Sequence, residues 1–410
     1  MSKDVYVLGG FQTDFARHWS REQATVFDLL AAATEGALAD CDLEASEIET
    51  IHVGNFTAEL FANQGHLGAL AAACDPQLDG TPSARHEAAC ASGSVAALAA
   101  MSEIEAERYG VALVVGVELM RNVEGERAAD YLGAAAWRGR EGQEARYLWP
   151  HMFSLLIEEY ERRYGLDYNH LMSIARKNYA NGRRNPKGQT RKWKFDDAAF
   201  TADDATNPVI EGKIRRQDCG QITDGSAAIV LAGPEFAERY AARRGLRLEA
   251  LARIKGWGHR TATMLFADKM AQANRSPDEY LLPHLRQTIL DAQKRAGLDI
   301  ESIDAVEGHD CFSITEYMFT EHLGLAAPGE AWRAIEEGVT EFSGTTPINP
   351  SGGLIGAGHP VGATGVRMIL DAQRQVLGIA GDTQVDGARN VQTLNIGGSA
   401  TTTVSFVVGQ

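Results

Sequence analysis

Four short stretches carry the residues whose types and spacing could do chemistry. In "RHEAACASGSVAALAA" a lone thiol, Cys90, stands among small residues just ahead of a helical pattern. A thiol at a helix N-terminus feels the positive end of the backbone dipole, which lowers its pKa and raises its thiolate fraction. The same cysteine also reads as a small core residue, since free cysteine is among the most buried types. In "VEGHDCFS", His309 and Cys311 stand two apart at the end of a strand-like run. There an imidazole and a thiol could serve different sides of one pocket, or pack as a buried structural pair. In "NPSGGLIGAGHPVGATG", glycines bracket His359. Such a backbone takes special angles or approaches a ligand closely, and its histidine is either a general base or a residue on a glycine turn. In "VQTLNIGGSATTTVSFVV" a buried strand breaks at Asn395 to Gly398. An amide there could face an oxyanion, or the glycines could mark only a bend.

Other chemistries lack their spacing. The glycines around His359 do not form a dinucleotide fingerprint, because the third position is Val361, and no phosphate-binding G-x-x-x-x-G-K-[ST] occurs. The five cysteines, Cys41, Cys74, Cys90, Cys219 and Cys311, are odd in number, widely spaced and free of any C-x-x-C. That pattern suggests free thiols in a reducing compartment rather than a disulfide framework, and no metal site is expected.

The elements that must position these residues come in pairs. The 410-residue chain is long enough for two sizeable units, and its 44% hydrophobic and 23% charged residues are ordinary globular composition. Leu43, Ile48 and Ile51 recur as Leu298, Ile303 and Val306, each 255 residues further on, so the chain contains a duplicated unit. In each half a strand and its loop lead to a glycine-rich stretch and a helix, "CASGSVAALAAMSEIEAERYG" and "GHPVGATGVRMILDAQRQV". Alternating helices and short apolar strands predict an α/β fold with mainly buried sheets. Between the halves, Arg121 to Gln221 is richer in Arg, Trp, Tyr and polar turns and reads as an insertion. A formal charge of −16 argues against nucleic-acid binding, and no apolar run is long enough to span a membrane. The N-terminal stretch lacks a secretory leader pattern and "SFVVGQ" lacks a peroxisomal ending, so the cytoplasm is the expected compartment.

These four pieces in this order, together with "ITDGSAAIVL" (Ile222 to Leu231), resemble the thiolase superfamily, and most closely its sterol-carrier-protein-type members. The resemblance runs over essentially the whole chain. It implies a five-layer αβαβα fold of two duplicated halves, with residues 1–120 and 222–245 as the N-terminal half, 121–221 as an inserted loop domain and 246–410 as the C-terminal half. It implies that Cys90 is the nucleophile, that His359 of the Gly-His-Pro motif deprotonates it, and that Cys311 is the second thiol. The C-terminal cysteine position of ordinary thiolases is occupied here by Asn395, as in the sterol-carrier-type subgroup. His309 and His359 would hold a thioester oxygen, and the backbone amides of Cys90 and Gly397 an oxyanion. Met152, after His151, matches a pair lining the pantetheine channel, although ordinary helix core explains it nearly as well. Coenzyme A and acyl-CoA enter as substrates, with no bound cofactor. A basic run from Arg183 to Lys194, and Lys213, Arg215 and Arg216, are candidates for the nucleotide end, but a solvated loop accounts for them as readily. The expected activity is acyl transfer on 3-oxoacyl-CoA or the reverse condensation, in a homodimer or homotetramer. The rival readings are a ketoacyl-synthase-like enzyme, a carbon–carbon lyase working with a small accessory subunit, a cysteine hydrolase and a non-catalytic lipid-binding protein.

Overall fold

The computed structural model describes residues 4–276 and 279–410, so the first three residues of the N-terminal stretch lie outside it. Eleven strands are present among them: β1 (Val5–Gln12), β2 (Thr50–Gly54), β3 (Ser83–His86), β4 (Val111–Glu118), β5 (Val209–Glu211), β6 (Ile214–Arg215), β7 (Gly225–Ala232), β8 (Ala252–Thr261), β9 (Ala305–Gly308), β10 (Asn390–Gly397) and β11 (Thr402–Gly409). Nine of them form one sheet in the order β3-β2-β4-β7-β1-β8-β11-β10-β9, and β5 and β6 form a separate ribbon.

With the edge strand β3 set aside, the order is symmetric about the β1/β8 junction, β1, β7, β4 and β2 answering to β8, β11, β10 and β9. β2 and β4 pair in parallel, as do β9 and β10, and β7 and β11 then each run antiparallel to their neighbours. The halves meet through a short antiparallel ladder, Val5–Val7 against Ala252–Ile254. The duplication is visible residue by residue. The helix Val26–Cys41 ends on Asp42 with φ 54°, and the helix Pro283–Ala296 ends on Gly297 with φ 69°. Each cap leads into a single 3-10 turn, Ala45–Glu47 and Ile300–Ser302, and then into β2 and β9.

Strand periodicity sorts the side chains into layers. Leu113, Val115 and Val117 of β4 pack with the outer helix Val26–Cys41, while Ala112 and Val114 turn to the helix Ser92–Glu105. In the other half, Val404, Phe406 and Val408 of β11 face inward and Val407 faces outward with Leu285 and Ile289 of the helix Pro283–Ala296. Both inward faces cover the same two helices, Ser92–Glu105 and Thr364–Val376, so the order is helix, sheet, helix pair, sheet, helix. This is the expected αβαβα arrangement. Between β4 and β7 the chain leaves the sheet and forms the helices Leu148–Tyr164 and Tyr168–Arg184, whose apolar faces join the outer core of the C-terminal half. Among the described residues no helix is long and apolar enough to cross a membrane.

The inner helix pair fits only because backbone meets backbone. A Cβ on Gly116 would lie 2.4 Å from the Gly362 carbonyl oxygen and 2.6 Å from Ala363 Cα, and one on Gly93 would lie 2.6 Å from the same oxygen. Neither site has a flexible side chain that could yield. Gly116→Ala is therefore expected to overpack this crossing and cost about 1–3 kcal/mol. Gly125→Ala, at a position with open space around it, serves as the control. Urea midpoints check this, and equal midpoints for the two variants would contradict the packing argument.

Candidate active site

Cys90 stands on a tight turn two residues before the helix Ser92–Glu105. Ala89, just before it, has φ 52°, a left-handed angle that costs a non-glycine residue energy and has to be held in place. Ser92 does the holding: its hydroxyl donates to the Ala89 carbonyl at 2.6 Å and accepts from the Ala88 amide at 2.9 Å. The turn delivers the thiol into a cavity of about 100 Å³, whose wall includes Cys311, Phe312, His359, Phe153 and Gly398. The sulfur of Cys90 and one ring nitrogen each of His309 and His359 lie within 4.8 Å of one another. The sequence spacing offers no metal site, yet these three donors are grouped closely enough to hold a metal ion in an open three-ligand arrangement.

The two histidines are held in opposite tautomers. Thr364 donates its hydroxyl hydrogen to the Pro360 carbonyl at 3.1 Å, so its oxygen is left to accept from His359 Nδ1–H at 2.7 Å. His359 Nε2 is then the bare nitrogen, and it is buried without any hydrogen-bond partner. His309 is the reverse case. Ser94 donates to Asn395 Oδ1 at 2.8 Å, which leaves the Asn395 amide nitrogen to donate to His309 Nδ1 at 3.1 Å. The hydrogen of His309 is therefore on Nε2. One ring offers a base and the other a donor, with centroids 5.1 Å apart and planes at 90°.

Burial sets the charges. It lowers the His359 pKa to about 3, with the Arg367 guanidinium adding to the effect. It pushes His309 well below its usual range, with His359 and Arg367 contributing. Arg367 is itself fully buried, bonded to Asp371 at 2.6 Å and Ser351 at 2.9 Å, with Glu307 at 3.5 Å. For Cys90, the lowered thiol pKa expected at a helix start is not found. Desolvation pushes it up to about 12, and the facing amides of Gly398 and of Cys90 itself oppose the rise only in part. The helix end acts, but the loss of water outweighs it. Cys311 is likewise pushed well above an ordinary thiol by burial, then by the nearby charges of Cys90 and Asp310. The resting site is a set of neutral thiols and neutral imidazoles.

Residues 5–235 match the family model for the N-terminal domain of thiolase, and residues 269–410 match that for a thiolase C-terminal-like domain. An acetyl-CoA acetyltransferase of Methanothermobacter thermautotrophicus is 31% identical over 98% of this chain and 98% of its own. Sterol carrier protein 2 of Gallus gallus is 27% identical, covering 100% of this chain and 72% of that one. Among solved structures, the Ltp2-ChsH2(DUF35) aldolase superposes with a TM-score of 0.76 over 99% of this chain and 97% of that one, at 20% identity. The chain belongs to the thiolase family.

Within this thiolase, the structure brings Cys90, His309, Cys311 and His359 together, with Gly397 packed against the Cys90 turn and Met152 off the wall of the Cys90 cavity. Met152 is buried and lines a neighbouring apolar cavity, while Trp149 and Phe153 of the same helix line the Cys90 cavity. Side chains on a helix diverge by about 100° per residue, so of these two adjacent positions only Phe153 also reaches the Cys90 cavity. The amide that faces the Cys90 sulfur is that of Gly398, with φ 61°, rather than that of Gly397, which still belongs to β10. The basic run is partly consumed in structure, since Arg191 pairs with Asp14 at 2.8 Å and Lys213 pairs with Glu161.

Several residues that hold the site were missed from sequence. Glu118, at the end of β4, accepts from the amides of Phe56 (2.9 Å), Thr57 (3.2 Å) and Gly362 (3.0 Å), and so ties a loop of one half to the His359 loop of the other. Thr223 accepts from the His359 amide at 2.9 Å. Asp310 accepts from the amides of Leu354 (2.6 Å) and Ile355 (3.2 Å) and from Asn178 (2.8 Å), while Asn178 also bonds Glu316, the partner of Lys177. Lys269 is buried against neutral oxygens, Ser399 O and Oγ at 2.8 Å and Thr401 Oγ1 at 2.7 Å, and so pins the turn that carries Gly398. These partners lie far apart in the chain, and only the acidic or basic character of each residue was visible locally.

A neutral Cys90 has a direct consequence. With its pKa at about 12, the thiolate fraction at neutral pH is small and grows roughly tenfold per pH unit. Alkylation of Cys90 by iodoacetamide, followed by peptide mass, should rise across pH 6 to 9 without levelling. A plateau at or below pH 8 would contradict this electrostatic picture.

Proposed function

We propose that this chain is an acyl-CoA C-acyltransferase that cleaves 3-oxoacyl-CoA with coenzyme A to acetyl-CoA and a shortened acyl-CoA, or runs the reverse Claisen condensation, through an acyl-Cys90 intermediate. The observation that carries this reading is the shared cavity: two thiols, Cys90 and Cys311, and the unpartnered Nε2 of His359 meet in one largely apolar space. The relatives named acetyl-CoA acetyltransferase support it.

In the degradative direction, His359 Nε2 takes the Cys90 proton as the sulfur attacks the 3-keto carbon. A neutral thiol beside a neutral imidazole favours transfer during attack over a standing ion pair. The amides of Cys90 and Gly398 face the oxygen that becomes negative. The C2–C3 bond then breaks and its electron pair passes to C2, giving the enolate of acetyl-CoA. His309 Nε2–H is the donor for that thioester oxygen. Cys311 protonates C2, and its raised pKa suits exchange with a weakly acidic carbon. Coenzyme A next gives its thiol proton to the Cys311 thiolate and attacks acyl-Cys90. The departing Cys90 sulfur recovers its proton from His359, and every group returns to its starting state. Residues 1–120 with 222–245, residues 121–221 and residues 246–410 are assigned as the two halves and the loop domain between them.

Intact-protein mass tests the reading after mixing with acetyl-CoA, and separately with acetoacetyl-CoA and coenzyme A. The expected result is an acetyl adduct on wild type, its loss in Cys90→Ala, and its retention in Cys311→Ala with turnover reduced by about a hundred- to ten-thousand-fold. Cleavage of a carbon–carbon bond without any adduct across an acyl-CoA panel would favour a retro-aldol lyase instead.

A further inference from the structure

Resting on the acyl-transfer reading, the structure also indicates where the acyl tail goes. Phe153, on the helix Leu148–Tyr164, borders two cavities. One is the Cys90 cavity. The other is a narrow gap of about 10 Å³, walled by Met152, Leu156, Phe266, Leu282, Leu285 and Met318. The same three segments bound both spaces. Cys311 and Phe312 line the first and Thr315 the second, and in the C-terminal turn Gly398 lines the first and Ile396, Ser399 and Ala400 the second. Phe153 is common to the two walls, and its ring is stacked on Phe312 with centroids 4.5 Å apart and planes at 29°.

The second cavity offers nothing to a polar ligand. Its two hydroxyls are already engaged: Thr315 donates to the Phe312 carbonyl, and Ser399 accepts from Lys269. The rest of the wall is hydrocarbon, ring or thioether, and two flexible methionines let it change shape around a guest. An apolar gap that lies one ring away from a thioester-forming cysteine can open to take a saturated acyl chain once that ring yields.

We infer that the second cavity is the end of an acyl-chain tunnel that Phe153 closes, so that Phe153 sets the length of the acyl group accepted at Cys90. The test compares kcat/KM for thiolysis of acetoacetyl-CoA and of 3-oxodecanoyl-CoA in wild type, Phe153→Ala and Phe153→Leu. Wild type should favour the short substrate. Phe153→Ala should raise the long-to-short ratio at least about tenfold, with Phe153→Leu in between, because each extra methylene then gains apolar contact. Adding Leu156→Trp to Phe153→Ala should refill the space and remove the gain. An unchanged ratio in both single variants would overturn the inference, as would a wild type that already favours the long chain or a gain that survives refilling. Phe153→Leu keeps most of the packing, so a poorly folded alanine variant still leaves a result. Absence of any acyl adduct on wild-type Cys90 would fail the acyl-transfer reading itself, and this inference with it.

Discussion

The site depends on the contact between two helices buried between two half-sheets. Ser92–Glu105, β4 and the turn that opens Thr364–Val376 meet so closely that Gly93 and Gly116 lie against the Gly362 backbone. That contact brings the turn carrying Cys90 to the loop carrying His359, although the two residues belong to different halves. It also leaves both half-buried. Glu118 reinforces the contact by binding amides from both halves, and burial pushes its pKa up to about 7.

Dehydration explains the electrostatics. With little water present, the neutral form of every titratable group at the centre is favoured, and the buried Arg367 adds its positive charge against protonation of both histidines. The uncharged site then relies on fixed hydrogen bonds. Thr364 and Asn395 decide which ring nitrogen carries a proton, and Lys269 and Ser92 hold the turns that aim amides at the thiol. In the proposed reaction charge develops only with substrate in place, where preorganised donors act most strongly.

Much of this was legible in the sequence because it is local or repeated. The offset of 255 between Ile48 and Ile303 is the offset between the two 3-10 turns and between β2 and β9. The glycines around His359 and the small residues after Cys90 do mark close backbone approach. The rest was hidden for physical reasons. Whether a thiol at a helix start is acidic depends on how much water surrounds it, which no motif of eight residues records. Met152 and Phe153 are neighbours in sequence, yet only Phe153 reaches the Cys90 cavity, and the rotation of the helix decides which does. Gly397 and Gly398 differ by whether the strand has ended. Lys177, Asn178, Glu316 and Asp310 form one network from three segments, so none of them shows a motif of its own.

The central claim is a division of labour, with Cys90 carrying the acyl group and Cys311 moving the proton at C2. It is tested most directly by incubating acetyl-CoA with the enzyme in heavy water and following deuterium at the acetyl methyl group. Wild type should exchange those hydrogens, and Cys311→Ala should become acetylated at Cys90 yet exchange none. Exchange that persists undiminished in Cys311→Ala would contradict the account.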